Sequence, residues 1–159
     1  SVPAQRFLAL RDHYSLMTDM LPVVQELLDV LPKQFGPKLG YMTAIVHGNG
    51  FDLENIDAEL GFAIELDAGS TVRLPSDRVL AVRELPAIER MATVARHGSF
   101  ENNCRSYSAL GQWLERHDLR LAAPAREVFL VPPSCDDLDS VVVEIQAPVA
   151  RAAPVPVPG

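Results

Sequence analysis

The chain has 159 residues, of which 48% are apolar and 22% are charged, as is ordinary for one globular domain. The formal net charge of −7 argues against direct nucleic-acid binding, which depends on Lys and Arg neutralising phosphates. No apolar run is long enough to span a bilayer, and no N-terminal segment is typical of a signal peptide. We therefore expect a cytoplasmic protein without a membrane partner. The two cysteines, Cys104 and Cys135, form neither a disulfide framework nor a metal-ligand spacing, and we expect no metal and no cofactor.

The first half of the chain predicts a strand, a helix and two more strands. Between Met20 and Phe35 apolar residues recur at the i, i+3, i+4 spacing of an amphipathic helix. Thr18 is a candidate N-cap, and Gly36-Pro37 ends the helix. The predicted strands cover residues 5–11, 41–47 and 58–66.

The second half repeats this order. Ser99 can cap a helix whose buried stripe contains Cys104, Tyr107, Gly111 and Leu114. A glycine on that stripe lowers helix propensity, which suggests either close approach to a sheet or room for a ligand. The predicted strands cover residues 78–84, 88–97, 127–131 and 141–146.

Three short segments recur in order along the chain, beginning at Pro3, Pro37 and Gly61 and again 83, 87 and 85 residues later. The sequence therefore predicts an α+β domain over residues 1–150, made of two pseudo-symmetric strand-helix-strand-strand repeats. The sheet is expected to be largely antiparallel, with two helices and a ligand groove at the repeat interface. The repeats cover about 2–67 and 78–149, and the Pro/Ala/Val-rich residues 151–159 predict a disordered tail.

The second half contains five segments that carry a family resemblance, at 85–87 (LPA), 96–100 (RHGSF), 110–114 (LGQWL), 124–130 (PAREVFL) and 143–149 (VEIQAPV). In this order they resemble the GyrI-like effector-binding domain family, which includes the BmrR-like C-terminal ligand-binding domains of MerR-type and AraC-type bacterial regulators. The first half resembles the family's N-terminal repeat more loosely, mainly through residues 36–37 and 61–64.

This resemblance implies a concave, apolar and aromatic pocket with a glutamate that recognises lipophilic, often cationic ligands. Glu127 matches that glutamate, whereas Phe100 and Phe129 stand where the family often has Tyr. No helix-turn-helix precedes the domain, and the chain begins at Ser1. We therefore expect either a DNA-binding domain elsewhere in a longer parent protein or a free-standing drug-binding protein.

Strand alternation places Glu127 on the same face as Phe129 and Val131. The alternative is an exposed strand-end glutamate paired with Arg126, and Glu59 and Glu144 are both expected on an exposed face. The other candidates for the pocket wall are aromatic or soft side chains, each of which has core packing or a structural hydrogen bond as its alternative: Tyr41, Met42, Phe62, His97, Trp113 and Phe129.

Three functions compete. The first is a sensor of small lipophilic, cationic or aromatic compounds, as expected of a multidrug-binding regulator domain. The second is a GyrI-like hydrolase of strained electrophilic compounds, in which Glu127 is the base and Tyr41 the hydroxyl partner. The third is a protein-interaction module like a gyrase inhibitor, which the low aromatic content and the lack of an apolar surface stripe disfavour.

Overall fold

The architecture is described from a computed structural model for residues 1–48, 54–98, 103–134, 136–137 and 139–153; the side chains of residues 103 and 104 are not described. The helices are α1 (Leu21–Phe35) and α2 (Asn103–Arg116). The strands are β1 (Gln5–Leu16), β2 (Leu39–His47), β3 (Glu54–Ile64), β4 (Thr71–Arg73), β5 (Val79–Leu85), β6 (Met91–His97), β7 (Leu119–Leu121), β8 (Arg126–Val131) and β9 (Val142–Arg151).

All nine strands described in these ranges belong to one antiparallel sheet. Its order is β4-β5-β1-β3-β2-β8-β9-β6, and β7 pairs with β9 beside this path. The two halves of the chain join where β2 pairs with β8, at Thr43 with Val128 and Ala44 with Glu127. The predicted α+β class with a largely antiparallel sheet and two helices is therefore confirmed.

One face of the sheet carries both helices and the main core. Alternate residues of the central strands point to this face, so that Met42 pairs with Phe62 and Ala44 with Leu60. Leu27 and Leu31 of α1 are completely buried in the same cluster. The cluster also contains the buried side chains of α2, namely Tyr107, Leu110 and Leu114.

The opposite face of the sheet has a smaller buried cluster of Phe7, Ala9, Ile45 and Leu85. Strand β3 contributes Gly61 to this region, opposite Ala9. A Cβ at Gly61 would overlap the carbonyl oxygen of Leu8, so the close approach of β1 and β3 requires a residue without a side chain.

The start of α1 differs from its sequence prediction. Thr18 does not cap the helix, because it lies inside a 3-10 turn over Met17–Met20 and α1 begins at Leu21. The local polar contact is made instead by Asp19, whose carboxylate accepts a hydrogen bond from the backbone N–H of Leu16 at 3.0 Å. The predicted end is correct, since Gly36 follows the helix with a positive φ of 52°.

Several expectations fall at the limits of the described residues. Ser99, Phe100, Cys135 and residues 154–159 lie outside them, as does the side chain of Cys104. Strand β9 extends to Arg151, and the backbone N–H of Ala152 donates to the carbonyl of Asp118.

Neither α1 nor α2 nor any other helix in the described ranges is long and apolar enough to cross a membrane.

Candidate functional site

Glu127 is buried on the helix-covered face of the sheet, with 4% of its surface exposed. It is the second residue of β8, where Ala44 of β2 lies opposite on one side and Ile145 of β9 on the other. Both neighbours are small or aliphatic, so the strands place this carboxylate in an apolar row. The alternative interpretation, an exposed strand-end glutamate paired with Arg126, is therefore wrong.

Arg126 points to the other face, as strand alternation requires of the preceding residue. Its Nη2 donates to the carbonyl oxygen of Pro86 at 2.7 Å, which fixes the guanidinium away from Glu127. The two adjacent charges of β8 thus lie in separate environments.

Two side chains from other elements reach the Glu127 carboxylate. The Tyr107 hydroxyl, on α2, donates to Oε2 at 3.2 Å. Nη2 of Arg96, on β6, lies 3.6 Å from Oε1, which is within ion-pair range but longer than a good hydrogen bond. Both side chains are buried, so the cluster of glutamate, arginine and tyrosine lies out of contact with bulk water.

Burial decides the protonation behaviour of this cluster. Desolvation raises the pKa of Glu127, and the charge of Arg96 and the hydrogen bond from Tyr107 oppose that effect without cancelling it. Burial also raises the pKa of Tyr107, and the neighbouring Glu127 charge raises it further. The tyrosine therefore stays a hydroxyl, and the glutamate is a stronger base than an exposed one.

Three of the predicted wall residues lie on the same face as Glu127. Met42, Phe62 and Phe129 are 2%, 5% and 4% exposed and belong to one cluster with Tyr107. Met42 is paired with Phe62, and Phe129 follows Glu127 by two residues on β8. They give the sheet face that carries Glu127 a soft and aromatic surface.

Tyr41, His97 and Trp113 are not brought to this cluster. Tyr41 is 58% exposed and lies where the β2–β3 register shifts. His97 is exposed and follows Arg96 on β6, so alternation turns it to the other face. The hydroxyl that contacts Glu127 is that of Tyr107, a residue for which the sequence suggested only core packing.

Trp113 lies on a different surface. Its ring is 42% exposed and stacks on His117, with centroids 4.2 Å apart and an angle of 25° between the rings. Both rings line a groove that is distinct from the Glu127 cluster.

Gly111 leaves space rather than permitting close packing. A Cβ at this position would meet nothing within 4 Å, which removes the explanation that the sheet approaches the helix here. Because Gly111 follows Tyr107 by one helical turn, the space lies on the part of α2 that carries the Glu127 contact.

A second buried glutamate was not anticipated. Glu59 of β3 was expected to be exposed but is only 6% exposed, on the sheet face opposite α1 and α2. Arg83 of β5 binds it with two hydrogen bonds of 2.8 and 2.7 Å, and His47 Nε2 lies 2.8 Å from Oε1. Burial acts to raise the pKa of Glu59, but these hydrogen bonds outweigh it and hold the pKa below its usual value.

Among the described residues, no group of three or more His, Cys, Asp and Glu side chains is arranged to hold a metal ion. The Glu127 cluster combines a carboxylate, a phenol and a guanidinium.

Comparison with known proteins yields structural matches only. No protein-family model and no curated protein matches this chain. The C-terminal domain of EcmrR has a TM-score of 0.75 at 20% identity, and the match covers 95% of this chain and 94% of that domain. In the EcmrR–DNA complex the match covers 56% of the EcmrR chain, so the present chain spans about half of that protein.

Two further structures are more distant. An uncharacterized conserved protein from Listeria innocua matches with a TM-score of 0.64 at 15% identity, covering 94% of this chain and 89% of that one. SAV2435, solved with tetraphenylphosphonium bound, matches with a TM-score of 0.58 at 9% identity, covering 94% and 90%. The chain therefore has the α+β fold of the EcmrR C-terminal domain.

Proposed function

We propose that this chain is a GyrI-like effector-binding domain that recognises small lipophilic cations through Glu127. Its parent would be a cytoplasmic bacterial transcription regulator of the MerR type or a free-standing drug-binding protein. The single observation that carries the proposal is a buried carboxylate whose nearest cation, Arg96, is 3.6 Å away.

A buried carboxylate is costly unless opposite charge and hydrogen bonds compensate it. Glu127 has one hydrogen bond of 3.2 Å and one longer ion pair, and its pKa stays raised. A lipophilic cation supplies the missing positive charge while its apolar groups remain out of water. Phe62, Phe129 and Tyr107 offer the aromatic surface on which such a cation is stabilised.

The structural neighbours support this proposal at the level of the fold. SAV2435 was solved with a lipophilic cation, and EcmrR was solved in complex with DNA. The open space at Gly111, one helical turn after Tyr107 on α2, supports the proposal that such a cation binds on this side of the sheet.

The test compares the binding of tetraphenylphosphonium with that of the neutral triphenylphosphine oxide by isothermal titration calorimetry. Glu127→Gln keeps the side-chain shape and removes the charge, so cation affinity should fall at least about tenfold, since a close buried charge pair contributes 1.4 kcal/mol or more. Affinity for the neutral compound should change little.

Glu144→Gln is the matched control, because Glu144 is half-buried on β9 and lies opposite Val128, on the other face of the sheet. It should bind both compounds like the unmodified chain. Equal cation affinity in Glu127→Gln and Glu144→Gln would remove Glu127 from the binding site.

A hydrolase is the second candidate function, and the hydrogen bond between Tyr107 and Glu127 favours it. A glutamate with a raised pKa is a suitable general base, and Tyr107 is a suitable hydroxyl partner. Two neighbours from Listeria innocua are described as hydrolases, at 10% and 12% identity. Mass spectrometry of an epoxide or other strained electrophile after incubation with the chain distinguishes the two functions. Hydrolysis that stops in Glu127→Gln would establish the enzyme. An unchanged compound would support the sensor.

A further inference from the structure

A cavity lies between the end of α2 and the last strands of the sheet. It has a volume of about 940 Å³ and is open to solvent along one side. Its walls are Arg90, Trp113, His117, Asp118, Leu119, Arg151, Ala152 and Ala153. None of these residues contacts Glu127, and only Trp113 was a candidate site residue from the sequence.

The floor of this cavity is held by backbone pairing. Leu119 of β7 pairs with Arg151 of β9, and Ala152 N–H donates to the Asp118 carbonyl at 2.8 Å. On the other side, the Val149 N–H donates to the carbonyl of Arg90 at 3.1 Å. The two arginines therefore project from backbone segments that are fixed to the same strand.

The aromatic wall is also fixed in position. His117 Nδ1 lies 2.8 Å from the Trp113 carbonyl oxygen, and a carbonyl only accepts, so Nδ1 carries the proton. This hydrogen bond and the stacking at 4.2 Å hold the two rings one above the other, so that an outer face of the stack can meet a ligand ring and the imidazole Nε2 is the nitrogen left for a polar contact.

The charge of the wall has the opposite sign to the charge of the chain. Arg90 and Arg151 contribute two positive charges and Asp118 contributes one negative charge, which leaves one positive charge in the cavity of a chain with net charge −7. Guanidinium groups pair with carboxylates in a planar, bidentate geometry, and aromatic rings stack on planar ligands.

We propose that this cavity is a binding site for small planar aromatic carboxylates, separate from the Glu127 site and selective for the opposite charge. The ligand ring adds to an outer face of the Trp113–His117 stack, and its carboxylate pairs with Arg90 and Arg151. A regulator domain with both sites responds to an aromatic anion as well as to a lipophilic cation.

The experiment titrates the full chain with 2-naphthoate and with the neutral 2-naphthamide, at low ionic strength, and follows the indole N–H signal by NMR. Trp113 is the only tryptophan, so this signal reports on one place. The expected result is a saturable shift with 2-naphthoate and at least tenfold weaker binding of 2-naphthamide.

Arginine variants test where the carboxylate of 2-naphthoate binds. Arg90→Gln combined with Arg151→Gln should weaken 2-naphthoate at least tenfold and leave 2-naphthamide unchanged. Arg116→Gln removes an exposed positive charge near the same end of α2 without touching the cavity wall, and it should bind 2-naphthoate normally. Arg90 and Arg151 are both exposed. If the double variant does not fold, Arg90→Gln and Arg151→Gln are each titrated as single variants.

The Glu127→Gln variant distinguishes a failure of this proposal from a failure of the proposed function. It should bind 2-naphthoate normally, whether or not its affinity for tetraphenylphosphonium falls. Equal affinities for the acid and the amide, equal loss in Arg116→Gln, or no indole shift at millimolar 2-naphthoate would each overturn the proposal.

Discussion

Glu59 and Glu127 are two buried glutamates of one sheet, on opposite faces and with opposite pKa shifts. Glu59 is 6% exposed and accepts three hydrogen bonds of 2.7 to 2.8 Å from Arg83 and His47. Glu127 is 4% exposed and has one hydrogen bond of 3.2 Å and an arginine at 3.6 Å. Both side chains are nearly inaccessible to solvent, but Glu127 lies deeper within the protein than Glu59, so the depth of burial and the number and length of the polar contacts together decide the sign of the shift.

This difference supports the proposal that Glu127, and not Glu59, binds a ligand. The charge of Glu59 is already compensated within the chain, and an added cation would have to displace Arg83. The charge of Glu127 is compensated only in part, and an added cation would complete it. Incomplete compensation of a buried charge, more than burial alone, is therefore the feature that supports the proposed site.

The largest expected effect is on the free energy of unfolding, and it should differ between the two sites. Glu59→Gln removes charged hydrogen bonds and leaves Arg83 without its carboxylate, so the free energy of unfolding at pH 7 should fall by about 2 kcal/mol. Glu127→Gln replaces a carboxylate whose ionised form the fold disfavours, but it also removes the countercharge of the buried Arg96, so the free energy of unfolding should fall less than in Glu59→Gln. Urea denaturation measures both, with Glu144→Gln as control.

The comparison would fail if Glu127→Gln destabilised the chain as much as Glu59→Gln. Such a result would mean that Arg96 and Tyr107 compensate Glu127 as completely as Arg83 and His47 compensate Glu59.

The pH dependence of stability sharpens the same contrast. The lowered pKa of Glu59 means that its contribution is complete above the ordinary glutamate value of about 4.3 and is lost as pH falls through the folded-state pKa. The raised pKa of Glu127 means that its contribution to the free energy of unfolding is complete below about pH 4.3. That contribution is lost as pH rises through the folded-state pKa.

Between pH 3 and 8, the difference in unfolding free energy between the unmodified chain and Glu59→Gln should therefore grow with pH. The difference in unfolding free energy between the unmodified chain and Glu127→Gln should decrease as pH rises. Parallel pH profiles for the two variants would contradict the assignment of opposite shifts.

The smallest expected effect is that of Tyr107→Phe. It removes the 3.2 Å hydrogen bond but keeps the ring, so the unfolding free energy should fall by about 1 kcal/mol. The pKa of Glu127 should rise further, since the hydroxyl favours the ionised form. A lower pKa of Glu127 in this variant, measured by carboxyl NMR, would show that the hydroxyl does not donate to the carboxylate.

Much of the fold could be predicted from the sequence because its signals are local. The stripe from Met20 to Phe35 and the glycine at position 36 define α1, and alternation along β8 correctly places Glu127 with Phe129. The α+β class followed from the order of such elements. The start of α1 was missed because the 3-10 turn over Met17–Met20 has no distinct sequence pattern.

The partners of the two glutamates were not predictable because they come from other strands and helices. Arg96 is two strands away from Glu127, across β9, and Arg83 reaches Glu59 across β1. Strand alternation gives the face of a residue but not the side chains that arrive there from elsewhere. Tyr41 and Trp113 were candidates by residue type alone, and their exposure depends on neighbours that the local pattern does not specify.

The most direct test of the central claim is the pKa of Glu127 with and without tetraphenylphosphonium, measured by carbon-13 NMR of the side-chain carboxyl group. The signal is assigned by its absence in Glu127→Gln. The account predicts a midpoint above that of an exposed glutamate in the free chain, and a decrease of about one unit or more when the cation binds beside the carboxylate. A midpoint that is unchanged by saturating tetraphenylphosphonium would contradict the claim that Glu127 holds the ligand's charge.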